Sequence, residues 1–195
     1  MITIDLLRHG ELEGGVKYRG QIDDPLTRAG RADMNRVWQQ LEGDVDLIIS
    51  SPMSRCLQPA TEWAESAGVE CLADPRIAEM HYGEWEGLTS DEIKVRYPGV
   101  LEQWRADPES VVVSGGESIH QLKRRIAEFW TDVCEKHDGS HLLVVAHSGS
   151  VRMLIAHALR APIVSTRHMQ MPYSCWSQIV YDNGYNQLIF HNREI

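Results

Sequence analysis

Runs of adjacent apolar residues alternate along this chain with stretches whose apolar positions recur every three or four residues. Residues 2–7 (ITIDLL) and 46–51 (DLIISS) predict strands, and Val69–Leu72 predicts a short third one. Residues 142–146 (LLVVA) are apolar throughout, as a strand covered on both faces should be. Between these runs the period lengthens. Thr27 caps a predicted helix carrying Met34, Val37, Trp38 and Leu41, with Gly43 as its end. Pro52 suits the first turn of a second helix, with Leu57, Ala60, Ala64 and Ala67 on one face and Gly68 closing it. Ile119, Leu122, Ile126, Phe129, Trp130 and Val133 line one face of a third, and a fourth spans about Val151 to Leu159. At the C-terminus, Asn183-Gly184 between two apolar runs signals a hairpin. Residues 74–116 follow neither period and are punctuated by glycines.

Strand alternating with helix, around uniformly apolar central strands, predicts an α/β domain with helices on both faces of a mostly parallel sheet. With no repeat, linker or low-complexity tract, residues 1–195 are expected to form one domain. The formal net charge of −9 disfavours nucleic acid and anionic membrane as partners. Lys123-Arg124-Arg125 lies between core positions Leu122 and Ile126 and reads as a solvated helix face. The scattered Cys56, Cys71, Cys134 and Cys175 suggest neither a disulfide framework nor a zinc site. No signal peptide or spanning segment is evident, so a cytoplasmic protein is expected. Monomer and homodimer are equally open.

Three strand exits carry similar chemistry. The first strand runs into Arg8-His9-Gly10, the second into Ser50-Ser51-Pro52 and then Arg55, and 142–146 into His147-Ser148-Gly149. Ligands of open α/β sheets bind beyond the carboxyl ends of the strands. If these strands are neighbours, two arginines and two histidines converge beside helix N-termini, a cradle for a compact dianion such as phosphate. Ser148 belongs to the same cradle. Binding needs only arginines and backbone; two histidines suggest chemistry as well. A neutral histidine ring can attack phosphorus, and a nearby carboxyl can protonate the departing alkoxide. Glu79, Glu84 and Glu86, in the segment EMHYGEWEG, are the candidates, and spacing does not choose among them.

Six segments, LLRHGE (6–11), YRGQIDDPLTRAG (18–30), ISSPMSRCLQPA (49–60), EMHYGEWEG (79–87), GGES (115–118) and VVAHSG (144–149), resemble in order those of the histidine phosphatase superfamily, also called phosphoglycerate-mutase-like. The resemblance implies a three-layer α/β/α sandwich and no metal or organic cofactor. It implies His9 as the phosphorylated nucleophile, Arg8, Arg55 and His147 as phosphoryl ligands, and Glu79 as proton donor. Many members carry Thr after R-H-G-E and Asn three positions further on, where this chain has Leu12 and Gly15; Arg19 or Gln21 is the expected substitute. The mutases carry a long insertion after the Y-G-x-x-x-G region, whereas here only Leu88 to Ser114 precedes Gly115. The chain thus resembles the phosphatase branch, with YRGQIDDPLT closest to α-ribazole-5′-phosphate phosphatases of cobalamin assembly. The expectation is a metal-independent phosphomonoesterase acting on a small phosphorylated metabolite; a mutase and a catalytically silent phosphate binder on the same fold are the rivals. His81, His120, His137, His141, His157, His168 and His191 are read as packing or surface residues, as is Asp23-Asp24 beside Pro25 as a turn.

Overall fold

A computed structural model describes residues 1–195. Six strands form one sheet in the order β3-β2-β4-β1-β5-β6. Strands β1 (Ile2–Arg8), β2 (Leu47–Ser50), β3 (Glu70–Ala73) and β4 (His141–Ala146) run parallel, while β5 (Trp176–Asp182) and β6 (Tyr185–Phe190) add an antiparallel hairpin. Its turn has positive φ at both Asn183 (47°) and Gly184 (84°), the geometry that the Asn-Gly pair predicts. Side chains alternate across the sheet. Ile2, Ile4, Leu6, Leu142 and Val144 join one apolar layer with α5 (Ile119–Lys136) and α6 (Ser148–Ala158). Leu7, Ile48, Leu143 and Val145 join the other with α1 (Arg28–Trp38) and α2 (Ser54–Ala67). The result is the expected three-layer α/β/α sandwich. Near the middle of the chain, two seven-residue helices, α3 (Ser90–Arg96) and α4 (Val100–Ala106), occupy the glycine-punctuated stretch.

Local chemistry explains the helix ends, with three corrections. Thr27 caps α1 by accepting from Gly30 N, as its position predicts. The helix itself stops at Trp38, because residues 39–44 continue as turns that still bury Leu41; Gly43 lies beyond the end. Pro52 stands ahead of α2 instead of in its first turn: the N-cap is Met53, and Asp23 Oδ2 accepts from Ser54 N at 2.7 Å. In α2, Cys56, Ala60, Trp63 and Ala64 are buried and Leu57 is half-buried, so the inner face is rotated from the expected one. Gly68, at φ 71°, closes the helix where predicted.

Asp5 is the polar exception inside an apolar strand. Its side chain is fully buried, and it accepts from Trp176 Nε1 at 2.6 Å and pairs with His141 Nε2 at 2.5 Å. That pairing raises the His141 pKa above its ordinary value, the hydrogen bond to Asp5 outweighing burial. No helix is long and apolar enough to cross a membrane.

Candidate active site

β2, β4 and β1 are consecutive neighbours, so the three strand exits meet. Arg8 is in register with Ala146, and the rings of His9 and His147 lie edge-to-face with centroids 5.2 Å apart. The loop leaving β1 crosses the start of α1 closely: a Cβ at Gly10 would lie 2.1 Å from Gly30 O, and one at Gly30 would lie 2.3 Å from Glu11 N. Only glycine at both positions permits the crossing, which fixes His9 against the sheet edge.

Both histidines are buried, and burial is the main reason that each pKa lies well below the ordinary value; neighbouring cationic arginines push the same way. They are therefore neutral at neutral pH, and their partners fix opposite tautomers. His9 Nδ1 lies 2.8 Å from Gly10 O, which can only accept, so Nδ1 carries the proton and Nε2 keeps its lone pair. His147 Nδ1 accepts from Arg55 Nε at 3.3 Å, so its Nε2 holds the proton and donates to Ser51 Oγ at 2.7 Å.

A cavity of about 270 Å3 opens beside His9. Arg8, Glu79 and Ser148 line it with His9. Arg8 stacks on Tyr173 with its guanidinium carbon 4.1 Å from the ring centroid, and donates to Met171 O. Its buried Nε–H has no partner in the protein, a donor suited to an anion. Ser148 Oγ accepts from Arg152, another lining residue.

The three candidate carboxylates separate. Glu79 is 5% exposed, lines the cavity, and accepts from Met80 N at 3.0 Å and from Gly149 N at 3.0–3.1 Å. Glu84 is exposed and takes the Tyr97 hydroxyl at 3.1 Å. Glu86 is a clamp: Gly20, Gln21, Ile22 and Tyr82 all donate backbone N–H to its carboxylate within 3.3 Å.

Other expected ligands sit differently. Gln21 is exposed and outside the cavity, because the Glu86 clamp turns the 20–22 backbone inward; the expectation that it reaches the phosphoryl site is not met. Arg19 lines the cavity, but its guanidinium is directed to Asp24 Oδ2 at 2.5 Å, Gly15 O and Glu13 O. Arg55 and His147 do not line the cavity and lie behind its wall. Every Arg55 N–H has a partner: His147, Ile22 O, Asp23, Arg19 O and Gly20 O. Asp23 and Asp24 thus serve as acceptors for Ser54 and the two arginines, in a segment that does not form the expected turn.

Several residues went unseen in the sequence. Arg125 is not a solvated residue like its neighbours Lys123 and Arg124: it pairs with Glu117 and donates to Arg76 O, Ala78 O and Glu79 O. It thereby holds the backbone that carries Glu79. Arg105, Arg152 and Arg167 also line the cavity; of the two tryptophans that the sequence places near the pocket rim, Trp104 lines it and Trp85 is core at 1% exposure. None of these follows a motif spacing; tertiary folding alone recruits them.

A family model described as the histidine phosphatase superfamily (branch 1) matches residues 4–194. The chain belongs to this superfamily. Among relatives of this histidine phosphatase is phosphoserine phosphatase 1 of Hydrogenobacter thermophilus, 31% identical over 157 residues, which are 79% of this chain and 74% of the relative. An adenosylcobalamin/alpha-ribazole phosphatase of Salmonella typhimurium is 28% identical over 186 residues, covering 94% of this chain and 92% of its own. Among solved structures, a mycobacterial glucosyl-3-phosphoglycerate phosphatase in complex with VO3 superposes with a TM-score of 0.89 at 26% identity, over 98% of this chain and 99% of the other. The histidine phosphatase described here is accordingly a phosphatase enzyme of the phosphoglycerate-mutase-like fold.

Proposed function

We propose that the chain is a metal-independent phosphomonoesterase of small phosphorylated metabolites, working through phospho-His9. The observation that carries this reading is the His9 ring: neutral, buried on the cavity, with Nδ1–H tied to Gly10 O and Nε2 free to attack. In the first step His9 Nε2 forms a bond to phosphorus while the ester P–O bond breaks. The Glu79 carboxyl gives its proton to the leaving alkoxide. In the second step the Glu79 carboxylate takes a proton from water, the hydroxide oxygen bonds to phosphorus, and the P–N bond breaks. Phosphate leaves, and both groups return to their starting states. Arg8, with its unpartnered Nε–H, and Arg152 beside Ser148 hold phosphoryl oxygens. Arg55 and His147 reach the same oxygens by exchanging their present partners, Ile22 O and Ser51 Oγ, for them.

Water as acceptor, in preference to a second phosphoglycerate, is supported by the short stretch from Leu88 to Ser114, which holds only α3 and α4. α-Ribazole 5′-phosphate, and with it a place in cobalamin assembly, is supported as a substrate by the 28% identical relative and is to be assayed beside phosphoserine. The decisive experiment is rapid acid-free quench with labelled p-nitrophenyl phosphate. A base-stable, acid-labile phosphoryl adduct, lost together with turnover in His9→Ala, is expected; turnover retained in His9→Ala refutes the reading.

A further inference from the structure

The cavity is far more cationic than one phosphoryl group requires. Arg8, Lys17, Arg19, Arg105, Arg152 and Arg167 line it against one carboxylate, Glu79, in a chain whose net charge is −9. Of the six, only Arg19 has an ion-pair partner, Asp24. Apart from Lys17, the remaining cations fall into two groups. Arg8 and Arg152 belong to the His9 end through Tyr173 and Ser148. Arg105 and Arg167 gather instead around Trp104, on α4 and on the turn at Ile163–His168.

This second group is built. Arg105 is half-buried and held by Ser90 Oγ at 2.9 Å and the Tyr18 hydroxyl at 3.4 Å. Arg167 lies over the Trp104 ring, 5.1 Å from its centroid. Trp104 is 7% exposed, and its indole N–H is buried without an acceptor. Arg167 is itself exposed, so the supported part of this wall is Arg105 and Trp104, and a buried orphan donor is rare in a native protein. Two guanidinium groups, beside a cavity-lining indole whose buried N–H is unsatisfied, are the donor set for an oxyanion.

We infer that the substrate is a phosphomonoester whose alcohol half bears a second oxyanion, received by Arg105, Arg167 and the Trp104 N–H while His9 attacks the phosphoryl end. This rests on the phosphomonoesterase reading above and narrows it: an acid such as phosphoserine fits the wall, and a neutral alcohol such as that of α-ribazole phosphate leaves it unused. Lys17, exposed at the same cavity, adds charge that steers anions inward.

Matched pairs test the inference. 3-Phosphoglycerate differs from glycerol 3-phosphate, and phosphoserine from phosphoethanolamine, by the carboxylate; fructose 1,6-bisphosphate differs from fructose 6-phosphate by a phosphate. The full chain is expected to favour the more acidic member of at least one pair by about tenfold or more in kcat/KM, and the pair that responds names the oxyanion. Arg105→Ala and Arg167→Ala should each shrink that ratio, with Arg105→Lys recovering part of it. Ratios within about twofold of one in every pair, or a preference that neither alanine variant alters, overturn the inference. Hydrolysis of p-nitrophenyl phosphate keeps the two readings apart. If it is absent, the catalytic reading fails, and the same pairs are compared by titration calorimetry of the protein, where equal affinities overturn the second-oxyanion site and tighter binding of the acid upholds it.

Discussion

Replacing Gly149 by alanine tests the role proposed for Glu79 without touching that residue. A Cβ at position 149 would lie 2.4 Å from Glu79 Oε1, whereas ordinary contact begins at 3.4 Å, so the carboxylate must retreat by about 1 Å. The atom met is the end of a side chain that lines the cavity. The retreat breaks the hydrogen bond from Gly149 N, worth ~0.5–1.5 kcal/mol net. Alanine is the better helix former by ~0.8–1 kcal/mol, and position 149 lies in the first turn of α6, so the net destabilisation is small and the variant folds. Displacing a reacting group by about 1 Å costs on the order of 100-fold in rate. The loss should depend on the leaving group. Alkyl phosphates need a proton on the departing oxygen and should lose about 100-fold in kcat/KM, which reports the first step alone. Nitrophenolate leaves without that help, so p-nitrophenyl phosphate should lose less than about tenfold. Equal losses on both substrates, or none on either, would falsify the assignment of Glu79 as proton donor.

Four further outcomes are expected. His9 and His147 are held neutral when folded but bind protons below about pH 6.5 when unfolded, so stability falls as pH drops below that point, by about 1.4 kcal/mol per pH unit for each. Urea titrations of His9→Gln between about pH 5 and 6.5 should show roughly half that slope, and an unchanged slope contradicts the burial argument. His141 acts in the opposite sense: its raised pKa adds stability that is full below about pH 6.5 and disappears as pH rises through the folded value. The destabilisation caused by His141→Gln should therefore shrink as the pH is raised. Glu86→Ala leaves four backbone N–H groups without their acceptor and should lower the urea midpoint by an equivalent of about 2 kcal/mol at constant m, with KM rising as the 19–22 loop loosens around Arg55. EDTA should leave turnover unchanged; abolition sinks the metal-free mechanism.

The parts of this protein that were legible in the sequence are those whose signal is local. The period of 2–7 and 142–146 marked strands, Asn183-Gly184 marked the hairpin turn, and the strand exits placed Arg8, His9 and His147 at one edge. Spacing could not tell Glu79, Glu84 and Glu86 apart, and only the family resemblance chose Glu79, because what separates them is distant: Gly149 holds one, Tyr97 another, and the amides of residues 20–22 the third. Arg125 read as solvated because its neighbours in sequence are, whereas its partners Arg76 O and Ala78 O come from another segment. The cations around Trp104 lie in the irregular middle and after α6, where no motif records their convergence.

The place of β4 between β1 and β2 has a consequence for how the protein is made. During synthesis β1 and β2 emerge early and wait without their common neighbour, since His141–Ala146 is translated only when most of the chain is complete. His9 then acquires its partner ring across a long loop closure, the slow kind of contact. No fragment ending before β4 can assemble the two-histidine pair. Hydrolytic activity in a translation mixture should thus appear late and all at once, making turnover a clock for the docking of β4.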